Sequence, residues 1–101
     1  MDYGLKGRFA LVTGGSHGIG LATAKHLAAG GCNVAICSRS DTRLKSAVAE
    51  LADHGVQTLA LAADLLDEGA ADRVMDALES EWGEVQILVN NVGGGGRWGE
   101  E

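Results

Sequence analysis

The sequence predicts an α/β protein in which four parallel strands alternate with three helices. Four short apolar segments recur along the 101 residues, and none alternates cleanly with polar residues, which is typical of strands buried on both faces. Between them lie stretches whose apolar residues fall three and four positions apart, the spacing of one helix face. Such alternation predicts a parallel sheet with right-handed crossovers, and these connections give the strand order 3-2-1-4.

The predicted elements follow one another in the order βαβαβαβ. The strands are the apolar segments 9–12, 34–37, 59–62 and 87–89. Each helix is predicted from one apolar stripe. The stripes are Ile19, Thr23, Leu27 and Gly30 in the first helix, Leu44, Val48, Leu51 and Ala52 in the second, and Ala71, Val74, Met75, Leu78 and Trp82 in the third.

The helix ends are predicted from capping residues and glycines. The first helix is expected to end at Gly30-Gly31. The second should start at Ser40 or Asp41 and stop at His54-Gly55, and the third should be capped by Asp67 and end near Gly83. The sequence contains no proline, linker or repeat that would divide the chain, so residues 1–101 are expected to form one unit.

Composition excludes several classes of function. The formal net charge of −6 argues against a nucleic-acid or anionic-membrane partner, because both need a basic face. No apolar run approaches the ~20 residues of a membrane span, and the N-terminus has no signal-peptide pattern. Cys32 and Cys37 would face opposite sides of one strand and show no metal-ligand spacing, which predicts two unpaired thiols in a reducing cytoplasm and no metal site.

The segment VTGGSHGIG, residues 12–20, lies where the first strand turns into the first helix. Unpaired N–H groups and a partial positive charge at a helix N-terminus suit a pyrophosphate, and glycines let the backbone approach it. The alternative is a glycine-rich turn that binds nothing. The GK[ST] sequence of a P-loop is missing from this segment, so the pattern favours a dinucleotide over a P-loop nucleotide site.

Three motifs, each at the end of a predicted strand, resemble those of the short-chain dehydrogenase/reductase family. Thr13, Gly14, Gly18 and Gly20 match its TGxxxGxG cofactor motif, Asp64-Leu65 matches its adenine-contacting acid, and Asn90-Asn91-Val92-Gly93 is similar to its NNAG. The extended branch of the family would need glycine at position 17, where this chain has His17. The resemblance is therefore to the shorter, reductase-like branch. The resemblance covers nearly the whole chain from Leu5 and implies a Rossmann-type fold.

The resemblance, together with the strand-end positions, implies a set of cofactor-binding residues. Ser16 is expected to contact phosphate, or else only to cap the helix, and Asp64 to accept from the adenine amino group, or else only to end its strand. Asn91 is expected to line the cofactor cleft and Gly93 to allow close approach, unless they form an ordinary turn. The full set is Thr13, Gly14, Ser16, His17, Gly18, Ile19, Gly20, Ser38, Arg39, Ser40, Asp64, Leu65, Asn91, Val92 and Gly93.

The end of the second strand predicts NADP(H) in preference to NAD(H). An acid at this position would bind the ribose 2′-OH of NAD, whereas arginine accommodates the 2′-phosphate of NADP. Arg39 stands there, and its guanidinium can fork onto phosphate or stack on adenine. Ser38, Ser40 and His17 could add hydrogen bonds to the nucleotide.

The resemblance also implies hydride transfer to or from a carbonyl or alcohol substrate, with 3-oxoacyl thioesters as one class. The family's acid–base pair is YxxxK, downstream of NNAG. The only tyrosine is Tyr3, and position 7 is glycine. The resemblance therefore implies no catalytic residue in residues 1–101, which correspond to the cofactor-binding part of an enzyme that forms homo-oligomers through later helices.

Two alternatives to this enzyme remain open. The first is a non-catalytic nucleotide-binding module that acts alone or complements a partner chain. The second is a methyltransferase with a similar sheet, but those sites usually place an acid where Arg39 stands, and the NNVG segment would be unexplained.

Overall fold

Four parallel strands form one sheet with helices packed on both of its faces. The computed structural model describes residues 4–14 and 18–90. The elements in chain order are β1 (Phe9–Thr13), α1 (Gly18–Ala29), β2 (Asn33–Ser38), α2 (Asp41–Ala52), β3 (Thr58–Ala62), α3 (Ala70–Trp82) and β4 (Ile87–Val89). The strand order is β3-β2-β1-β4 and every pairing is parallel, which confirms the predicted Rossmann-like α/β architecture.

The segments that follow the four strands lie at one edge of the sheet. Because all strands run in the same direction, the carboxyl ends of β1, β2, β3 and β4 lie together. The chain moves outward from β1 to β3 and then crosses back to β4, so the crossover direction changes between β1 and β4. A crevice at such a switch point is where open α/β sheets bind ligands.

Each face of the sheet has its own apolar core. Helices α1 and α2 cover one face, where Val12, Val34, Ile36 and Leu51 are fully buried. Helix α3 covers the other face, where Leu11, Ala35, Cys37, Val74 and Leu78 form a smaller cluster. Cys32 and Cys37 lie in different cores and are both free thiols, as predicted.

The three predicted helix faces are each partly wrong. Helix α2 buries Ala47, whereas the predicted Ala52 is exposed. Helix α1 buries Gly20, Ala24 and Ala28, whereas Ile19 is 78% exposed. Small side chains let the helix backbone lie close to the sheet, so the helix turns its smallest stripe inward and leaves part of its more apolar stripe outside. In α3, Ala70 is buried in place of the predicted Ala71, which is exposed.

The two outer strands are less buried than their composition predicts. Strands β1 and β2 are almost entirely buried, but every residue of β3 and β4 is either partly buried or exposed. Leu88 in β4 is 63% exposed although it pairs with the buried Leu11. An outer strand has a neighbour on one side only, and within the described residues no helix covers the α3 face at Leu88.

The helix ends follow the predictions with one exception. Ser40 caps α2, since its Oγ accepts from the Arg43 N–H at 3.2 Å. Helix α1 ends at Gly30-Gly31, where the Cys32 N–H donates to the Leu27 carbonyl in a Schellman arrangement. The predicted Asp67 cap is wrong: α3 begins after Gly69 without a side-chain cap, because Asp67 belongs to the preceding turn.

The described helices are short. The longest, α3, has 13 residues, and within residues 4–14 and 18–90 no helix is long and apolar enough to cross a membrane.

Candidate functional site

The junction between β1 and α1 lies at the switch point of the sheet. Thr13 ends the strand, Gly14 has a φ of +66°, and Gly18 begins the helix with a φ of +62°. Both angles lie in the left-handed region that side chains other than glycine rarely adopt, so the glycines at these two positions are required by the backbone path. Ser16 and His17, which were predicted to contact the cofactor, lie outside the described residues.

The start of α1 can receive an anionic group. Its first turn contains no acidic residue, and no described atom lies within 4 Å of where a side chain on Gly18 would begin. The first N–H groups of a helix have no partner within the helix, and those of α1 lie at the carboxyl edge of the sheet. Gly20 is buried and lets the helix pack closely on the strands. This geometry fits the diphosphate of a nucleotide.

Thr13 joins the ends of β1 and β4. Its Oγ lies 3.1 Å from Asn90 Oδ1 and 3.3 Å from the Val89 carbonyl oxygen, and the hydroxyl donates across the gap between the strands. Thr13 is 4% exposed, so this contact is shielded from water. The predicted site residues that follow Asn90, namely Asn91, Val92 and Gly93, lie outside the described residues.

We expect Thr13→Val to destabilise the fold by about 1 kcal/mol, because valine keeps the shape but cannot donate the hydrogen bond. Urea unfolding followed by far-UV circular dichroism measures the change. Thr23→Val is the matched control, because among the described residues its hydroxyl donates to the Ile19 carbonyl within the same helix. Equal effects of the two substitutions would contradict a special role for the Thr13 contact.

The end of β2 presents two serines and an arginine. The Ala63 N–H donates to the Ser38 carbonyl at 3.0 Å, and the Ser40 N–H donates to Ser38 Oγ at 3.3 Å. Ser40 also caps α2, so its hydroxyl already has a structural role. The Arg39 side chain is 75% exposed and projects from a backbone that is fixed on both sides. It can receive an anionic group without breaking the core.

The segment after β3 brings Asp64 to Arg39. Asp64 Oδ2 lies 3.9 Å from Arg39 Nη1, and the other carboxylate oxygen, Oδ1, accepts from the Leu66 N–H at 2.9 Å. Leu65 turns inward and packs on the α3 core, whereas Leu66 is 57% exposed at the same edge. Leu66 is a candidate apolar contact for a ligand that the sequence motif did not indicate, because the motif ends at position 65.

The first and second strands are tied together beside these residues. The Gly14 N–H donates to the Cys37 carbonyl at 2.8 Å, so this backbone hydrogen bond holds Gly14 next to the segment that carries Arg39. Burial raises the pKa of the Cys37 thiol, which keeps it protonated and unsuited to act as a nucleophile. Within the described part of the chain, no three acidic, histidine or cysteine side chains cluster as metal ligands would.

Comparison with known proteins finds one family of similar sequences. The family model described as short chain dehydrogenase matches residues 8–100. A short chain dehydrogenase of Pseudocercospora fijiensis is 43% identical over 89 residues, which are 88% of this chain and 29% of that protein. The chain spans between 29% and 51% of the length of the curated relatives it matches.

Two solved structures are similar and carry different nucleotides. The L-sorbose reductase from Gluconobacter frateurii, complexed with NADPH and L-sorbose, superposes with a TM-score of 0.89 at 38% identity, covering 94% of this chain and 36% of that one. A xylitol dehydrogenase bound to NAD⁺ superposes with a TM-score of 0.81 at 30% identity, covering 84% of this chain and 33% of that one.

Proposed function

The chain belongs to the short chain dehydrogenase family, and on this premise we propose that it forms the NADP(H)-binding part of an oxidoreductase that acts on a carbonyl or alcohol substrate. The nucleotide would supply or accept the hydride. The residues of this chain would bind and orient it: the N-terminus of α1 holds the diphosphate, and the ends of β2 and β3 hold the adenosine half.

Arg39 is the observation that carries the choice of NADP(H). Its guanidinium stands at the end of β2, is 75% exposed, and can take a phosphate in a bidentate fork. The similar structures include one with NADPH and one with NAD⁺, so the proposal rests on this chain's own arginine. Ser38 and Ser40 would add hydrogen bonds, and Asp64 would accept from the adenine amino group.

The remaining features of the enzyme are also proposals. Ser16 and His17 would contact the phosphates, and Asn91, Val92 and Gly93 would line the nicotinamide side of the cleft. The acid–base residues would lie outside these 101 residues, 3-oxoacyl thioesters are one proposed substrate class, and the complete enzyme would be a cytoplasmic homo-oligomer. A second candidate is a non-catalytic nucleotide-binding module that acts alone or complements a partner chain.

Titration of the purified protein with NADPH and with NADH tests the proposal. Isothermal calorimetry is the suitable measurement, because Trp82 packs on Phe9 at the opposite edge of the sheet and is a poor reporter of the site. We expect NADPH to bind at least tenfold more tightly than NADH. Equal affinity for the two nucleotides would contradict the NADP(H) assignment.

We expect Gly18→Ala to weaken NADPH binding by about tenfold or more, because a side chain at this φ shifts the loop and enters the space above α1. Gly55→Ala is the matched control. Gly55 also has a positive φ, of +76°, with no neighbour within 4 Å, but it lies before β3 at the opposite edge. Both variants should lose similar stability, and equal losses of NADPH affinity would place the nucleotide elsewhere.

A further inference from the structure

Asp64 and Arg39 form an ion pair at the point where the proposed nucleotide would place its 2′-phosphate. The two side chains approach from different strand ends, with Asp64 Oδ2 3.9 Å from Arg39 Nη1. The Asp64 side chain is 31% exposed and cannot swing away freely, because its Oδ1 accepts from the Leu66 N–H. The carboxylate is therefore a fixed negative charge beside the arginine.

Such a charge acts against a phosphate in two ways. It neutralises part of the positive field of the guanidinium, and it repels the phosphate directly when both lie within a Debye length of about 8–10 Å. Both effects act more strongly on NADPH than on NADH, because the 2′-phosphate is the charge by which the two nucleotides differ. A hydrogen bond from the adenine amino group to Asp64 would be common to NADPH and NADH, so it cancels when their affinities are compared.

The alternative role, in which Asp64 orients Arg39 for the phosphate, does not fit the geometry. The 3.9 Å separation is longer than a charge-assisted hydrogen bond, and the Arg39 side chain is 75% exposed. A contact of this kind fixes no rotamer of a long side chain in water. Asp64 therefore acts on Arg39 through its negative charge, and not by holding the guanidinium in one orientation.

We propose that Asp64 is a specificity-determining residue that weakens the preference of this site for NADP(H) over NAD(H), through its charge beside Arg39. This inference rests on the proposed nucleotide site. It implies that the chain discriminates less sharply between the two nucleotides than Arg39 alone would allow, and that removal of one negative charge sharpens the discrimination.

The test compares dissociation constants for NADPH and NADH in the unmodified protein, in Asp64→Asn and in Asp67→Asn. The asparagine at position 64 keeps the oxygen that accepts from the Leu66 N–H, so the turn is retained. Asp67 lines the same open groove between β3 and α3 as Asp64, but within the described residues it makes no ion pair with Arg39. It therefore controls for the loss of one nearby charge.

We expect Asp64→Asn to shift the ratio of the two dissociation constants about three- to tenfold towards NADPH, with the shift decreasing at high salt. Asp67→Asn should change the ratio less than about twofold. An unchanged ratio in Asp64→Asn, or a shift towards NADH, would overturn the inference. The proposed function would still stand in that case if the unmodified protein prefers NADPH. Failure of the unmodified protein to bind either nucleotide would overturn the proposed function as well.

Discussion

Arg39→Asp is expected to reverse the nucleotide preference of the protein. The substitution removes the only guanidinium proposed to meet the 2′-phosphate and introduces a carboxylate that repels it, next to the carboxylate of Asp64. We expect NADPH affinity to fall about 100-fold, which corresponds to about 2.7 kcal/mol. NADH affinity should hold or rise, because an acid at this position can accept from the ribose 2′-OH. Calorimetric titration with both nucleotides measures the change.

Two further variants separate the causes of this reversal. Arg39→Ser removes the guanidinium without adding a charge, so it should weaken NADPH binding less than Arg39→Asp does and leave NADH binding unchanged. Arg8→Asp makes the same chemical change before β1, at the opposite edge of the sheet. If Arg8→Asp reduced NADPH affinity as strongly, the effect would be one of overall charge, and Arg39 would have no special role.

Leu78→Ala is expected to destabilise the fold by about 2–5 kcal/mol. Leu78 is fully buried in α3, the one described helix on its face of the sheet, and among the described residues its core has four other buried members. Alanine would remove its apolar contacts with them and leave a cavity. A loss of this size is a large share of the roughly 5–15 kcal/mol that stabilises a small domain. Urea unfolding followed by circular dichroism measures it.

Leu88→Ala is the matched control for this prediction, because it deletes the same atoms from a side chain that is 63% exposed. Its cost should stay within about 0.5 kcal/mol. A small loss for Leu78→Ala would mean that α3 stabilises the sheet weakly. A large loss for Leu88→Ala would mean that this exposed leucine packs against a surface outside the described residues.

The order of the elements and of the strands could be predicted because each depends on local signals. Buried parallel strands form continuous apolar runs, glycines such as Gly31 end helices, and right-handed crossovers leave few ways to arrange four strands. The packed helix faces were predicted less well. Gly20, Ala24 and Ala28 carry little hydrophobic signal, yet they face the sheet because close approach favours small side chains.

The candidate site was likewise predicted only in part. The motifs predicted that Thr13, Arg39 and Asp64 follow strands of one parallel sheet, and the structure places all three at one edge. Motifs did not predict that Asp64 pairs with Arg39 or that Leu66, and not Leu65, faces outward. These features depend on how two strand ends approach each other, and residues 25 positions apart carry no local signal of that distance.

The sequence by itself determined the alternation of strands and helices, the glycine loop at the first turn and the arginine at the end of β2, because each depends on neighbouring residues. Only the tertiary structure decided which helix faces are buried, that Thr13 connects β1 to β4, and that a carboxylate stands beside Arg39. The physical reason is that burial and electrostatic contact depend on distances between distant parts of the chain, which packing sets.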